Sequence, residues 1–298
     1  MSKLDTQRIP VNYVSAIGWA LEELGEDKAH IFSELGLDTD ELEKPEATIQ
    51  ASLYKKIIEK GIALNHSAIP FSFLVEKHIK VTSHGILGLA IMSAANLGEL
   101  LELSKFFPLL MPGVEFNYFI DNKNLTCEFI AIEELGLEAS AAIIEIYVLI
   151  ILQISLYLEE PLSERRVCFT HNSSYEQSVY DEYFACHVEF GCSSNKIVVP
   201  VHSLNIPIHS SDPSTLNLSR QYLEQALKQL SKKNQWSEKV ANHWRECAQS
   251  SRFLIQNELA IDFNMTVRTL ARKLSNENTH YQEVIGNVRK NMAVHYFL

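Results

Sequence analysis

The sequence predicts an α+β domain followed by a short all-α domain, and three observations lead there. Helical spacing of apolar residues fills the first part of the chain, gives way to alternation from Val114, and returns after Leu216. A length of 298 residues allows roughly two domains at about 150 residues each. Charge divides the chain in the same sense. From Leu216 onward there are 12 Lys+Arg against 7 Asp+Glu, whereas the remainder holds 14 against 30. An acidic body with a basic tail is the pattern of one part that avoids polyanions and another that seeks them.

Val11, Val14, Ile17, Ala20, Leu21 and Leu24 lie on one helical face, and a second short helix is expected near His30-Ile31-Phe32, ended by Glu34-Leu35-Gly36. Ser52–Leu64 repeats the pattern with Leu53, Ile57, Ile58 and Ile62. A further helix opens at Thr82-Ser83-His84-Gly85, where His84 is expected to cap it in preference to touching a ligand, and another follows Asn96 through Phe107. The period then changes. Val114–Ile120 alternates, Asn122-Lys123-Asn124 turns, and Leu125–Ile132 alternates back as a β-hairpin.

Ala139–Leu158 is the most apolar stretch and approaches the roughly 20 residues a membrane span needs. Glu145, Gln153 and Ser155 interrupt it and no basic cluster flanks it, so a buried core or dimer helix is expected and no membrane association. Strands are expected at Arg166–His171, His187–Phe190 and Lys196–Pro200, with a polar helix between Tyr175 and Phe184. Helical spacing resumes at Leu216, and the polar run Ser231-Lys232-Lys233-Asn234 marks a linker.

The C-terminal segment carries the functional signal. Glu258–Phe263 reads as a short helix stopped by Asn264, which tolerates the left-handed conformation of a tight turn. Thr266 then caps a second helix through Ser275. Leu259, Ala260, Phe263, Leu270 and Leu274 form a small core, and Arg268, Ala271, Arg272 and Ser275 share the opposite face. Two arginines one turn apart suit the edges of adjacent base pairs, since each guanidinium can donate two hydrogen bonds to guanine. Arg268, Ala271 and Arg272 are therefore the candidate base-contacting residues, and Thr266, Thr269 and Lys273 the candidate backbone contacts. The alternative is that these are ordinary solvated charges.

The run Asn264–Leu274 resembles the first helix-turn-helix of the AraC/XylS transcription regulators, whose pattern is Leu-Gly-Met-Ser-x-Arg-Thr-Leu-x-Arg-Arg-Leu. Thr279–Ile285 resembles its continuation, and Arg289, Ala293 and Tyr296-Phe297-Leu298 the start of the long helix that joins the two helix-turn-helix units. His84-Gly85-Ile86-Leu87-Gly88 with Leu97-Gly98-Glu99, and Tyr183–Gly191, resemble the arabinose-binding-type sensor domain of one subfamily. Two glycines of the family pattern are replaced here, by Asn264 and Asn278, and Gln256 stands where an apolar residue is usual.

The resemblance implies an α+β sensor domain followed by a partial all-α helix-turn-helix domain. The implied division is 1–205 for ligand sensing and dimerisation, 206–233 for a linker helix, and 234–298 for the first helix-turn-helix and the start of the connecting helix. The implied function is an effector-responsive, DNA-binding regulator that is cytoplasmic and homodimeric, binds promoter DNA in the major groove and an unknown small-molecule effector, and needs no cofactor. Leu298 falls within the connecting helix, so half a reader is expected to bind DNA weakly, because phosphate contacts supply much of the affinity. The alternative is a ligand-binding or dimerisation protein that has lost DNA reading.

Other chemistry finds little support. There is no phosphate-cradling Gly-rich loop, no His-Glu-x-x-His and no Cys-x-x-Cys. Five scattered cysteines do not make a disulfide framework. Cys168, His171, Cys186, His187 and Cys192 contain ligand-type residues, but their irregular spacing argues for strand packing over zinc. Ser83 and His84 lack a nucleophile-elbow context, so no enzyme is expected.

Overall fold

The computed structural model describes residues 3–296 apart from 43, 45, 46, 112, 163, 174, 250, 251 and 278, so Asn278 lies outside the described residues, as do Phe297 and Leu298. The chain separates into two compact units, one ending at Glu224 and one beginning at Gln225.

The N-terminal unit opens with α1 (Lys3–Thr6), β1 (Arg8–Pro10), α2 (Val11–Glu23), α3 (Lys28–Glu34) and α4 (Thr39–Leu42). Asp27 caps α3 by accepting from the Ala29 and His30 amides. β2 (Thr48–Gln50) pairs antiparallel with β1, and α5 (Ala51–Leu64), α6 (Phe71–Glu76), α7 (Gly85–Ser93) and α8 (Leu97–Leu101) follow. The helix expected through Phe107 is α8 continued by 3₁₀ turns over Glu102–Leu109, because Pro108 cannot continue an α-helical ladder.

His84 does not cap α7 with its side chain, contrary to the expectation from sequence. It is 7% exposed and its Nδ1 faces the Tyr13 hydroxyl at 2.5 Å. The turn before α7 is built instead by Ser83, whose hydroxyl accepts from the Lys80 amide, and by Gly85 at φ +56°. Gly88 lets α7 lie against that turn, since a Cβ there would stand 1.9 Å from the Val81 carbonyl oxygen.

β3 (Val114–Ile120) and β4 (Asn124–Ala131) form the hairpin, with Val114 opposite Ala131 and Ile120 opposite Leu125. Asp121 closes it by accepting from the Lys123 and Asn124 amides. After α9 (Leu137–Gln153) come β5 (Arg166–Cys168), α10 (Gln177–Phe184), β6 (Val188–Glu189) and β7 (Asn195–Pro200). The five-stranded sheet runs β3-β4-β7-β5-β6, antiparallel except for β5 beside β6. α9 packs against α5, α6, β4 and β7. Together with its 3₁₀ extension to Tyr157 it has the length and composition of a membrane span, yet 61% of that apolar window is buried inside the fold. It is the core helix of this unit.

α11 (Pro213–Asn234) begins in the N-terminal unit, where Leu216, Ser219 and Leu223 are buried and Arg220 pairs with Glu99 and Glu102. The C-terminal unit is helical: α12 (Trp236–Gln249), α13 (Gln256–Asp262), α14 (Val267–Ser275) and α15 (Tyr281–Tyr296). Its core is built on Val240, Trp244, Leu254, Leu259, Leu270, Leu274, Ile285 and Val288.

Burial lowers the pKa of His84 from 6.5 to about 4. Between those values the unfolded chain binds a proton that the folded chain refuses, so stability is full above pH 6.5 and falls as pH drops toward 4. The loss reaches on the order of 3 kcal/mol. Denaturant midpoints measured across this range should fall more steeply for the native chain than for His84→Gln, and parallel curves would remove His84 from the account.

Candidate functional site

In the C-terminal unit the backbone between α13 and α14 turns through Asn264 at φ +53°. The Asn264 amide reaches the Ile261 carbonyl at 2.8 Å and the Met265 amide reaches Ala260 at 2.9 Å, which closes the end of α13. Thr266 starts α14: its hydroxyl accepts from the Thr269 amide at 3.1 Å and meets the Thr269 hydroxyl at 2.9 Å. Leu270 and Leu274 are fully buried and hold the helix down. Glu277, just beyond α14, accepts from the Trp236 and Ser237 amides and so caps α12. Burial pushes this carboxyl up, but the bonds from Ser237 and Trp236 outweigh it and hold its pKa below the ordinary value.

Arg268, Ala271 and Arg272 are exposed on the face of α14 opposite its leucines. Among the described residues neither arginine has a carboxylate within ion-pair distance. Thr266 is exposed and Thr269 half-buried, and one of the two hydroxyls donates to the other. Lys273 is half-buried with its ammonium 4.3 Å above the Trp236 ring, and Lys239 lies 5.1 Å over the same ring. Burial and then repulsion from Lys273 lower the Lys239 pKa. Sequence reasoning missed this double cation–ring stack: Trp236 and Lys239 are i, i+3 neighbours on α12, but Lys273 comes from α14 and no local spacing brings it there.

The N-terminal unit holds a cavity of about 320 Å³ bounded by α5, α6, α9, α10 and the segment after β5. Glu145, on α9, lines it and is 4% exposed. The Ser72 hydroxyl donates to Oε2, the Tyr180 hydroxyl donates to Oε1 at 3.0 Å, and His171 Nε2 lies 2.8 Å from Oε1. Burial first, and then the charge of Glu145, push the Tyr180 pKa far up, so this phenol stays a donor. Tyr175 also lines the cavity and receives a hydrogen bond from Asn65 at 3.0 Å. The signal for Glu145 was present in the sequence as a lone acid inside an apolar helix, but its partners were not.

The five cysteine and histidine residues of the β5–β7 region do not converge on a single point. His171 turns to Glu145, and His187 pairs with Asp181 at 3.0 Å. Cys168 and Cys192 come together with Glu189. Burial, reinforced by Cys192 and Glu189, raises the Cys168 pKa to about 11, so this thiol remains protonated.

Comparison with known proteins places the N-terminal unit in a family. Residues 25–208 match the family described as the arabinose-binding domain of AraC transcription regulator, N-term. The Ornithine utilization regulator of Pseudomonas aeruginosa is 25% identical over 291 residues, 97% of this chain and 84% of that protein. The crystal structure of transcriptional regulator CdpR from Pseudomonas aeruginosa superposes with a TM-score of 0.55 at 18% identity, covering 96% of this chain and 85% of that one, a likeness of fold.

Replacing Thr266 by Ala removes the cap of α14 and should cost about 1 kcal/mol of helix stability. Hydrogen exchange should report it as lost amide protection at Thr269 and Leu270 with α9 unchanged, and Thr266→Ser should retain protection.

Proposed function

This chain belongs to the AraC family of transcription regulators, proteins that are not enzymes, and from that premise we propose that it is an effector-responsive regulator of promoter DNA. In this reading residues 1–205 sense a ligand and dimerise, 206–233 form the linking helix, and 234–298 carry the first helix-turn-helix and the start of the connecting helix. The protein acts in the cytoplasm as a homodimer and requires no cofactor.

α14 enters the major groove. Arg268 and Arg272 each donate to a base edge one helical turn apart, and Ala271 between them leaves room for a thymine methyl group. Lys273 reaches a phosphate from its place over Trp236. The two threonine hydroxyls share one hydrogen bond, which leaves one free O–H between them, so Thr266 and Thr269 together supply a single donor to the DNA backbone. The effector controls this contact only by binding one arrangement of the domains better than another.

The observation that supports the reading is the unpaired arginine face on a helix whose opposite face is fully anchored. A guanidinium already held by a carboxylate would have to break that bond before meeting a base. Fluorescence anisotropy of the full-length protein on its promoter tests it. Arg268→Ala and Arg272→Ala should each cost about 1–3 kcal/mol and relax discrimination at different base pairs. Lys273→Ala should weaken all sequences alike and reduce the salt slope by about one. Unchanged affinity and base preference in the double arginine variant would refute the assignment.

A further inference from the structure

We propose that the cleft at Glu145 is the effector site, and that it takes a small organic cation, an ammonium or guanidinium group carried on a short apolar chain. The word effector rests on the regulator reading above; the binding of a cation does not.

The cavity has a built polar end. Three neutral or conditionally charged groups, Ser72, Tyr180 and His171, converge on the Glu145 carboxylate, and the histidine is charged only when protonated. Among the described residues no Lys or Arg pairs with Glu145, and none lines the cavity. A buried carboxylate without a fixed cation is costly unless a partner neutralises it. Oε1 already faces two groups, whereas Oε2 takes only the Ser72 hydroxyl, which leaves it room to accept one more donor.

The rest of the cavity fits a donor on an apolar stem. Glu138, Ala141, Ala142 and Glu145 stand at helical spacing along α9, so a second acid lies at the rim and two small residues separate the pair. Ile62, Phe71 and Leu137 supply apolar wall, and the Tyr175 and Tyr180 rings add faces that attract cations. A volume of about 320 Å³ is enough for a small molecule. A carboxylate or phosphate ligand would meet Glu145 with only His171, charged only when protonated, to offset the repulsion.

Glu76 shows the contrast. It is also buried, at 7% exposure, but Gln153 donates to one oxygen and Tyr183 to the other, and it lines none of the described cavities. That acid is satisfied within the fold. Glu145 alone of the two opens onto a cleft.

Isothermal titration of the whole chain with a matched series decides the matter: pentylammonium, pentylguanidinium, pentanol and pentanoate. One of the two cations should bind at least about tenfold more tightly than pentanol, with pentanoate weakest. Glu145→Gln keeps the side chain's shape and should erase the preference for cations over pentanol. Ala141→Phe fills the cleft without touching the hydrogen bonds to Glu145, and should abolish binding of the whole series. This second variant is the deciding one if Glu145→Gln fails to fold, as judged by circular dichroism. Equal binding of pentanol and both cations, a preference for pentanoate, or cation binding that survives Ala141→Phe would overturn the proposal. The titration contains no DNA, so its failure leaves the reading of α14 intact. Loss of promoter recognition in an arginine variant would in turn leave the titration unchanged.

Discussion

An apolar helix with a carboxylate in its middle governs the N-terminal unit. α9 is buried on nearly every side from Ala142 to Leu149, which is possible only if other elements wrap it. α5, α6, β4 and β7 do so. Glu145 cannot be wrapped by hydrocarbon without loss, because a buried polar group needs partners and a charge needs more than one. The wrapping elements therefore bring polar atoms to a single point: Ser72 from α6, Tyr180 from α10 and His171 from the segment after β5. The cavity lies beside that point because small residues, Ala141 and Ala142, face it from α9.

The C-terminal unit solves a different problem, which is to present charge without folding it away. Leu270 and Leu274 fix one side of α14 in the core, Thr266 fixes its start, and Glu277 ties the segment after its end to the start of α12. With both ends and one face immobilised, the exposed face needs no internal ion pairs for stability. Among the described residues, Arg268 and Arg272 have no carboxylate within ion-pair distance. Exposed ion pairs contribute little in any case, so leaving these arginines unpaired costs the fold almost nothing.

Local periodicity makes much of this legible from sequence. The spacing of Leu259, Ala260, Leu270 and Leu274 against Arg268 and Arg272 defines a buried and an exposed face without reference to any distant residue. The hairpin at Val114–Ala131 is readable for the same reason, since its register depends on a short turn. His84 reads as a cap from its neighbours alone, but its side-chain direction depends on Tyr13, 71 positions away. The spacing of the cysteine and histidine group likewise says nothing of where its members turn, His171 to Glu145 and His187 to Asp181.

The longer helices of the N-terminal unit, the β3–β4 hairpin, the split between an acidic body and a basic tail, and the two faces of α14 follow from sequence alone. Each is a property of residues within a few positions of one another. The short pair β1–β2 and the helices α1, α4, α6 and α12 are not expected from sequence. The folded chain was needed to make Glu145 the polar end of a cavity and to bring Lys273 of α14 over the Trp236 ring. The partners of Glu145 lie 73, 35 and 26 residues from it along the chain. Burial and hydrogen-bond geometry act through space, and no periodicity along the chain encodes which distant donors will meet one carboxylate.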